Sequence, residues 1–320
     1  MKAAVRQKYG PPGVLRVKEL QIPVPKKNEV LVKVKATTVN RSDCGVLTGK
    51  PWAIRLFTGI IKPRLKVTGS DFSGLVVAKG VDVAEFNIGD DVYGFFDQGI
   101  GSHASYFCVS TKRAILKKPP NITYEQSAAS LEGAHYAFYF LEKVVLKKDD
   151  KILINGGTGA IGSAALQFLK YKGFHVTVTC DTSYVPVLRS MGADKVIDYT
   201  CEDFTKLDEQ FDFIFDAVGK STFGKCKPIL KHHGIYISSE LGPYWQNPLL
   251  ALISPFMRGK KVKFPLPFSI QRSMAFINEL VEKDQFKPLI DRRYRIDEIA
   301  DAFEYVMTGQ KKGNVVISFN

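Results

Sequence analysis

Lys151-Ile-Leu-Ile-Asn-Gly-Gly-Thr-Gly-Ala-Ile-Gly162, running on into Ser163-Ala-Ala-Leu-Gln-Phe-Leu-Lys-Tyr-Lys-Gly173, is the stretch that decides the fold. An apolar run, KILI, ends in a glycine-rich turn, and the turn opens into a helical pattern. Gly157, Gly159 and Gly162 fit G-x-G-x-x-G, with Thr158, Ala160 and Ile161 between them. The first glycine permits the tight turn, the second lets backbone amides approach a pyrophosphate, and the third allows the helix to pack closely on the sheet. The helix N-terminus then offers unpaired N–H groups and the positive end of its dipole to an anion. Such a loop alone is common structural punctuation. The strand before it, the helix after it and a second strand ending near Thr179 make it a dinucleotide-binding loop.

Working outward, the apolar runs ILI (152–154), HVTVT (175–179), KVI (195–197), FDFIF (211–215) and GIYIS (234–238) alternate with helical stretches. Short buried strands separated by helices indicate a parallel, doubly wound sheet. Before Pro119-Pro120 the texture differs: EVLVKVKATTV (29–39) alternates apolar with polar residues between Gly/Pro/Asn/Asp clusters, as antiparallel, barrel-like strands do. Beyond about Phe264 a helical pattern over 269–283, another over 297–308 and a strand over 314–318 close the chain. The expected division is therefore 1–122, a Rossmann cofactor-binding domain over 123–264, and a return to the first domain over 265–320.

Length and composition agree with two soluble domains: 320 residues, 45% hydrophobic and 24% charged. The formal charge of +13 admits nucleic acid, anionic lipid or a phosphorylated cofactor as partner. Its lysines fall in scattered pairs, from Lys26-Lys27 to Lys311-Lys312, instead of one basic block interleaved with aromatics. Solvated loops are the reading this favours, against nucleic acid. Five scattered cysteines with no Cys-x-x-Cys pair fit reduced thiols in a cytoplasm. The N-terminal MKAAVRQKYGPPG has no apolar core, and no apolar run reaches the roughly 20 residues that span a bilayer, so a cytoplasmic, unexported protein is expected.

Several segments together resemble the medium-chain dehydrogenases/reductases, and within them the zinc-free quinone oxidoreductases. KAAV and YGPPGVL near the N-terminus, VLVKVKATTVNRSD (30–43), GSDFSGLVV (69–77) and IGDDVYG (88–94) are similar to the family's GroES-like catalytic domain. GSHASYFCV (101–109), EQSAASLEGAHYA (125–137), GADKVIDY (192–199), DAVG (216–219) and KGNVVI (312–317) are similar to segments of quinone-reductase relatives. The resemblance implies an α/β protein, a GroES-like β-barrel domain joined to a Rossmann sheet. It also implies a homodimer, with the segment around Lys261–Phe264 as the sheet edge. The apolar NPLLALISPFM (247–257) reads as a loop-helix near that edge or a cleft lining rather than a lipid anchor.

In zinc relatives a cysteine, a histidine and a later cysteine hold the metal; here Asn40, Ser70 and Glu132 fall at or near those positions. Neither Asn nor Ser is a usual zinc ligand, so no metal is expected. The reaction implied is hydride transfer from NAD(P)H to a quinone or an α,β-unsaturated carbonyl. Reduction of an aldehyde or ketone is the alternative enzyme, and a cofactor-binding RNA- or protein-interaction role is the alternative outside enzymes. Asn40 matches the asparagine of the family's N-P-x-D motif and either orients substrate or nicotinamide or caps the helix of RSDCGVLTG. Tyr136 either approaches the nicotinamide or packs.

The resemblance carries the phosphate contacts to Gly157–Gly162, the adenosine end to Thr179, Ser183 and Tyr199, the nicotinamide ribose to Val218, and a further cofactor role to Asn314. Thr179 is uncharged where an NAD-selecting acid usually stands, whereas Asp181, two residues on, either receives a 2′-OH or caps the next helix. The balance favours NADP(H) over NAD(H). His135, His232 and His233 lie in no catalytic spacing and read as surface or packing residues.

Overall fold

The structure, a computed structural model, describes every residue except 98, 257, 266–268 and 320. Met257, at the end of the apolar stretch 247–257, and residues 266–268, beside the expected boundary at 264, lie outside the described residues. The chain forms two compact units, one of Met1–Glu132, Ile270–Asp284 and Pro288–Asn320, the other of Gly133–Ser269 and Gln285–Lys287.

The second unit is built on six parallel strands, in the spatial order Lys195–Asp198, Val176–Cys180, Ile152–Asn155, Phe211–Asp216, Leu230–Ser238 and Lys261–Lys263. Numbered along the chain this order is 3-2-1-4-5-6, the doubly wound arrangement whose direction of winding reverses between the first and fourth strands. Ile152–Asn155 and Val176–Cys180 are buried at every position. Strands with apolar side chains on both faces need a helix on each. The helix Ala160–Tyr171 covers one face with Ala164, Leu166, Phe168 and Leu169, and Phe168 meets Phe286 edge to face at 5.1 Å. Gly173, in the left-handed region at φ 80°, turns the chain out of that helix.

The first unit centres on the strand Glu29–Val39, which the alternating pattern predicts to its ends. It pairs antiparallel with Asp71–Lys79, with Tyr106–Ser110 and, over its last residues, with the C-terminal strand Asn314–Ser318. Val315 lies opposite Val39 and Ser318 opposite Ala36, so the end of the chain completes the sheet its beginning started. The helix Tyr124–Ala129 also belongs here: its Ala128 and Ala129 pack with Ala36 and Val316, and the Ser127 hydroxyl bonds that of Ser73 at 2.6 Å. The first unit therefore runs past residue 122, because the apolar face of this helix is covered by the first sheet.

Ile317 is fully buried in the cluster of Val39, Leu47, Ile299 and Phe303. Ile317→Ala is expected to cost about 2–5 kcal/mol, read as a lower urea midpoint for loss of the first unit.

Candidate cofactor and substrate site

Protein packing accounts for the glycine at positions 156 and 162 of the loop and not for the one at 159. A Cβ at Gly162 would stand 2.1 Å from the Gly156 carbonyl oxygen, and one at Gly156, at φ 86°, would stand 2.4 Å from Val218 Cγ1. Neighbouring protein atoms enforce glycine at both. Gly159 differs: its φ of −67° and ψ of 162° suit any residue, and the nearest atom to a Cβ there is 3.5 Å away. The protein's own packing does not demand glycine at 159. The residue caps the N-terminus of the helix Ala160–Tyr171, where a pyrophosphate drawn to the free amides would be obstructed by a side chain.

Beneath the loop lies a chain of buried hydrogen bonds. Thr179, fully buried, accepts the Gly156 N–H at 2.9 Å and donates to Asn155 Oδ1 at 2.8 Å. Asn155 Nδ2 donates to Asp216 Oδ1 at 3.0 Å. That same oxygen accepts the Gly219 N–H at 3.0 Å, while Oδ2 accepts the Tyr236 hydroxyl at 2.8 Å and the Ser221 N–H at 3.3 Å. Thr179 thus holds the loop from below, whereas the resemblance places it against adenosine. Val218 packs over the loop at Gly156, with its own N–H 3.4 Å from Asp216. Asp181, Ser183 and Tyr199 converge at the surface end of the strand Val176–Cys180: Ser183 donates to Asp181 Oδ1, and the Tyr199 hydroxyl approaches Oδ2 at 3.5 Å.

Tyr136 and His135 lie on the helix Glu132–Glu142, their rings 5.6 Å apart and edge to face. Burial lowers His135 to about 4, which keeps it neutral at physiological pH. His232 and His233 are exposed neighbours whose rings bond each other at 3.1 Å.

The first unit holds a buried polar cluster around Asp71. Its carboxylate accepts the Thr38 N–H at 2.7 Å, the Thr37 and Thr38 hydroxyls, and Asn40 Nδ2 at 3.0 Å. The second Nδ2 hydrogen of Asn40 goes to the Thr38 hydroxyl at 2.7 Å, and its backbone N–H to Asp43 Oδ2 at 2.9 Å. Asn40 is the N-cap of the helix Arg41–Thr48, where it forms a capping box with Asp43, and is only 3% exposed; both its amide hydrogens are engaged internally. Asn314 sits similarly, buried, with Nδ2 on the Leu289 carbonyl at 3.0 Å. His103, unremarked in the sequence reading, donates through Nε2 to the Thr38 carbonyl and accepts the Thr68 hydroxyl at Nδ1. Burial lowers it to about 4.

Burial raises the acids of this cluster. Asp71 rises to about 6, against the hydrogen bonds from Thr38, Thr37 and Asn40. Asp43 rises to about 8 through burial and the charge of Asp71, and Glu132 moves well up through burial and Asp43.

Comparison with known proteins finds matches in both units. The alcohol dehydrogenase GroES-like domain model matches residues 26–120, and the zinc-binding dehydrogenase model matches residues 191–317. A 2-methylene-furan-3-one reductase of Solanum lycopersicum is 31% identical over 99% of this chain and 79% of its own length. The chain belongs to the quinone oxidoreductase-like medium-chain dehydrogenases/reductases. An NADPH-dependent alkenal/one oxidoreductase of Arabidopsis thaliana is 30% identical to this dehydrogenase/reductase over the same shares of the two chains. Among solved structures, the quinone oxidoreductase of Coxiella burnetii superposes with a TM-score of 0.87 at 27% identity, covering 100% of this chain and 99% of that one.

Zinc is the metal this family implies, and the residues present do not fit it. Asn40 and Ser70 offer amide and hydroxyl groups, the Asn40 hydrogens are engaged with Asp71 and Thr38, and Glu132 is pushed toward its protonated form. Among the described residues no group of three or more His, Cys, Asp or Glu side chains is placed to hold a metal ion. The cofactor loop, by contrast, fits a dinucleotide pyrophosphate through the open space at Gly159.

Gly159→Ala is expected to leave the melting temperature nearly unchanged while weakening NADPH binding by at least about tenfold, a difference of about 1.4 kcal/mol; cofactor fluorescence and thermal denaturation read the two separately. Because Asp43 and Asp71 have raised values in the folded state, they bind protons more tightly folded than unfolded. Stability should therefore fall as pH rises from about 4, through the range between the ordinary carboxylate value and about 8. Asp43→Asn should flatten that decline, measured as urea midpoints across the range.

Proposed function

We propose that this protein is a zinc-independent reductase that transfers hydride from NADPH to a quinone or an α,β-unsaturated carbonyl compound. The observation that carries the reading is Gly159, a glycine that protein packing does not require, at the head of a helix in a chain of this family. The relatives' names add the acceptor class: alkenal/one and 2-methylene-furan-3-one reduction for two of them, quinone reduction for the Coxiella protein. NADPH supplies the hydride when bound. The chain's part is to hold the pyrophosphate on the amides of Gly157–Gly162, to fix that loop through Thr179, Asn155 and Asp216, and to bind the adenosine end near Asp181, Ser183 and Tyr199.

NADPH as the preferred donor rests on the uncharged Thr179 and on the name of the Arabidopsis relative. The Asp181 carboxylate opposes it, tempered by the hydroxyls of Ser183 and Tyr199 that face its oxygens. A homodimer through the outermost strand, Lys261–Lys263, and a cytoplasmic location with its five cysteines reduced complete the proposal.

Metal-stripped protein titrated with NADPH and NADH in turn, then given a quinone or an enone, tests the reading directly. Oxidation of a bound cofactor supports it, and failure to bind either cofactor overturns it. Asp181→Ala should raise the preference for NADPH over NADH by about tenfold, about 1.4 kcal/mol, through loss of repulsion with the 2′-phosphate; the ratio of the two kcat/KM values is the measurement.

A further inference from the structure

Arg6 heads the fully buried large side chains of the protein, at 2% exposure. A buried guanidinium is costly unless its charge and its five N–H donors are matched. Here the match is incomplete. One terminal nitrogen donates to the Val46 carbonyl, and the Tyr9 ring lies 5.3 Å from the guanidinium carbon. Nε is buried with no hydrogen-bond partner, and among the described residues no carboxylate stands within ion-pair distance. The acid whose charge acts on it is Asp43, which burial has pushed up to about 8, so that it is largely protonated near neutral pH.

Arg6 also lines a cavity of about 220 Å³ that lies wholly within the first unit. Val46, Phe57, Leu65 and Phe96 supply apolar wall, and Thr58, Thr68 and the raised carboxyl of Asp43 supply polar wall. Two further cations, Arg64 and Arg113, line it from exposed positions, the latter 3.9 Å over the Phe96 ring. The volume is below the ~300–1,000 Å³ of typical ligand pockets and suits a small molecule. An apolar chamber with a buried, under-partnered cation and two exposed cations on its lining is complementary to a small organic anion.

We propose that this cavity binds the carboxylate of a small acidic acceptor, an α,β-unsaturated carbonyl compound that itself carries a carboxylate, with Arg6 as the counter-ion. Arg64 and Arg113 attract the anion from the surface. The inference rests on the reductase reading for its substrate class, and on Arg6 alone for its anion site.

The test compares (E)-4-oxopent-2-enoate with its methyl ester, which keeps the enone and removes the charge. With NADPH present, kcat/KM for the acid should exceed that for the ester by at least about tenfold, and Arg6→Met should lower this ratio by roughly 10- to 100-fold. Arg6→Lys should retain part of it, and Arg64→Ala and Arg113→Ala should each lower it a few-fold and weaken its salt dependence. If Arg6→Met does not fold, these three variants carry the test. Thermal denaturation of the full chain gives a second readout: the oxo-enoate should stabilise the wild type saturably, and the ester should not.

An acid-to-ester ratio near one, without saturable stabilisation by the acid, overturns the anion site while leaving the reductase intact. Stabilisation by the acid that depends on Arg6, with turnover of neither compound, overturns the reductase and leaves the anion site standing. Stabilisation by inorganic phosphate but not by the oxo-enoate overturns the assignment to a carboxylate.

Discussion

The buried carboxylate of Asp216 is the point on which the cofactor-binding unit depends. It stands at the end of Phe211–Asp216, in register with Asn155 at the end of Ile152–Asn155, and these are the two strands between which the winding of the sheet reverses. Side chains at such a junction have no helix directly above them, which is why ligands bind there. A fully buried carboxylate must find donors or pay several kilocalories per mole. Asp216 finds them in Asn155, Tyr236 and the amides of Gly219 and Ser221, which come from the two neighbouring strands and the turn after its own. The glycine loop and the DAVG turn are thereby fixed to one another through a single anion, and the loop keeps its shape without needing a ligand to impose it.

The first unit handles buried charge in the opposite way. Asp43, Asp71 and Glu132 are crowded into one interior; burial raises all three, and neighbouring carboxylates push Asp43 and Glu132 up further. Asn40 bridges two of these acids, donating its side-chain amide to Asp71 and its backbone N–H to Asp43. The two positions that in zinc relatives present Cys and His are here tied into, or placed beside, a network of amides, hydroxyls and partly protonated acids. Burial raises the acids of that network, whereas the Asp216 centre is satisfied by neutral donors.

Much of this was legible in the residues. KILI, FDFIF and GIYIS mark strands because burial on both faces leaves no polar alternation, and EVLVKVKATTV predicts its strand from end to end. The first boundary was less legible, since the apolar face of Tyr124–Ala129 reads the same whichever sheet it covers. Roles of single polar residues were the least legible. Thr179 can face a ribose or a loop, and only the position of Asn155 beneath it decides; His103 carries no spacing signal, since its partners Thr38 and Thr68 are brought to it by the sheet. Asp216 was quoted within DAVG as a mark of resemblance, while its physical role depends on neighbours far away in sequence. The buried charge of Arg6 could not be read at all, because a lone arginine just after the apolar triplet Ala3-Ala4-Val5 gives no sign of whether it turns inward or outward.

The position of Asn314–Ser318 has a consequence for how the chain is made. This strand lies between Glu29–Val39 and Ile290–Arg295, yet it is translated only after the whole of the inserted unit. Residues 36–39 of the central strand must therefore wait without this partner through translation of the whole inserted unit, which can meanwhile close on its own local βαβ contacts. Nascent chains halted before this strand would present that open edge to other strands, so the edge is covered only once the inserted unit has been made.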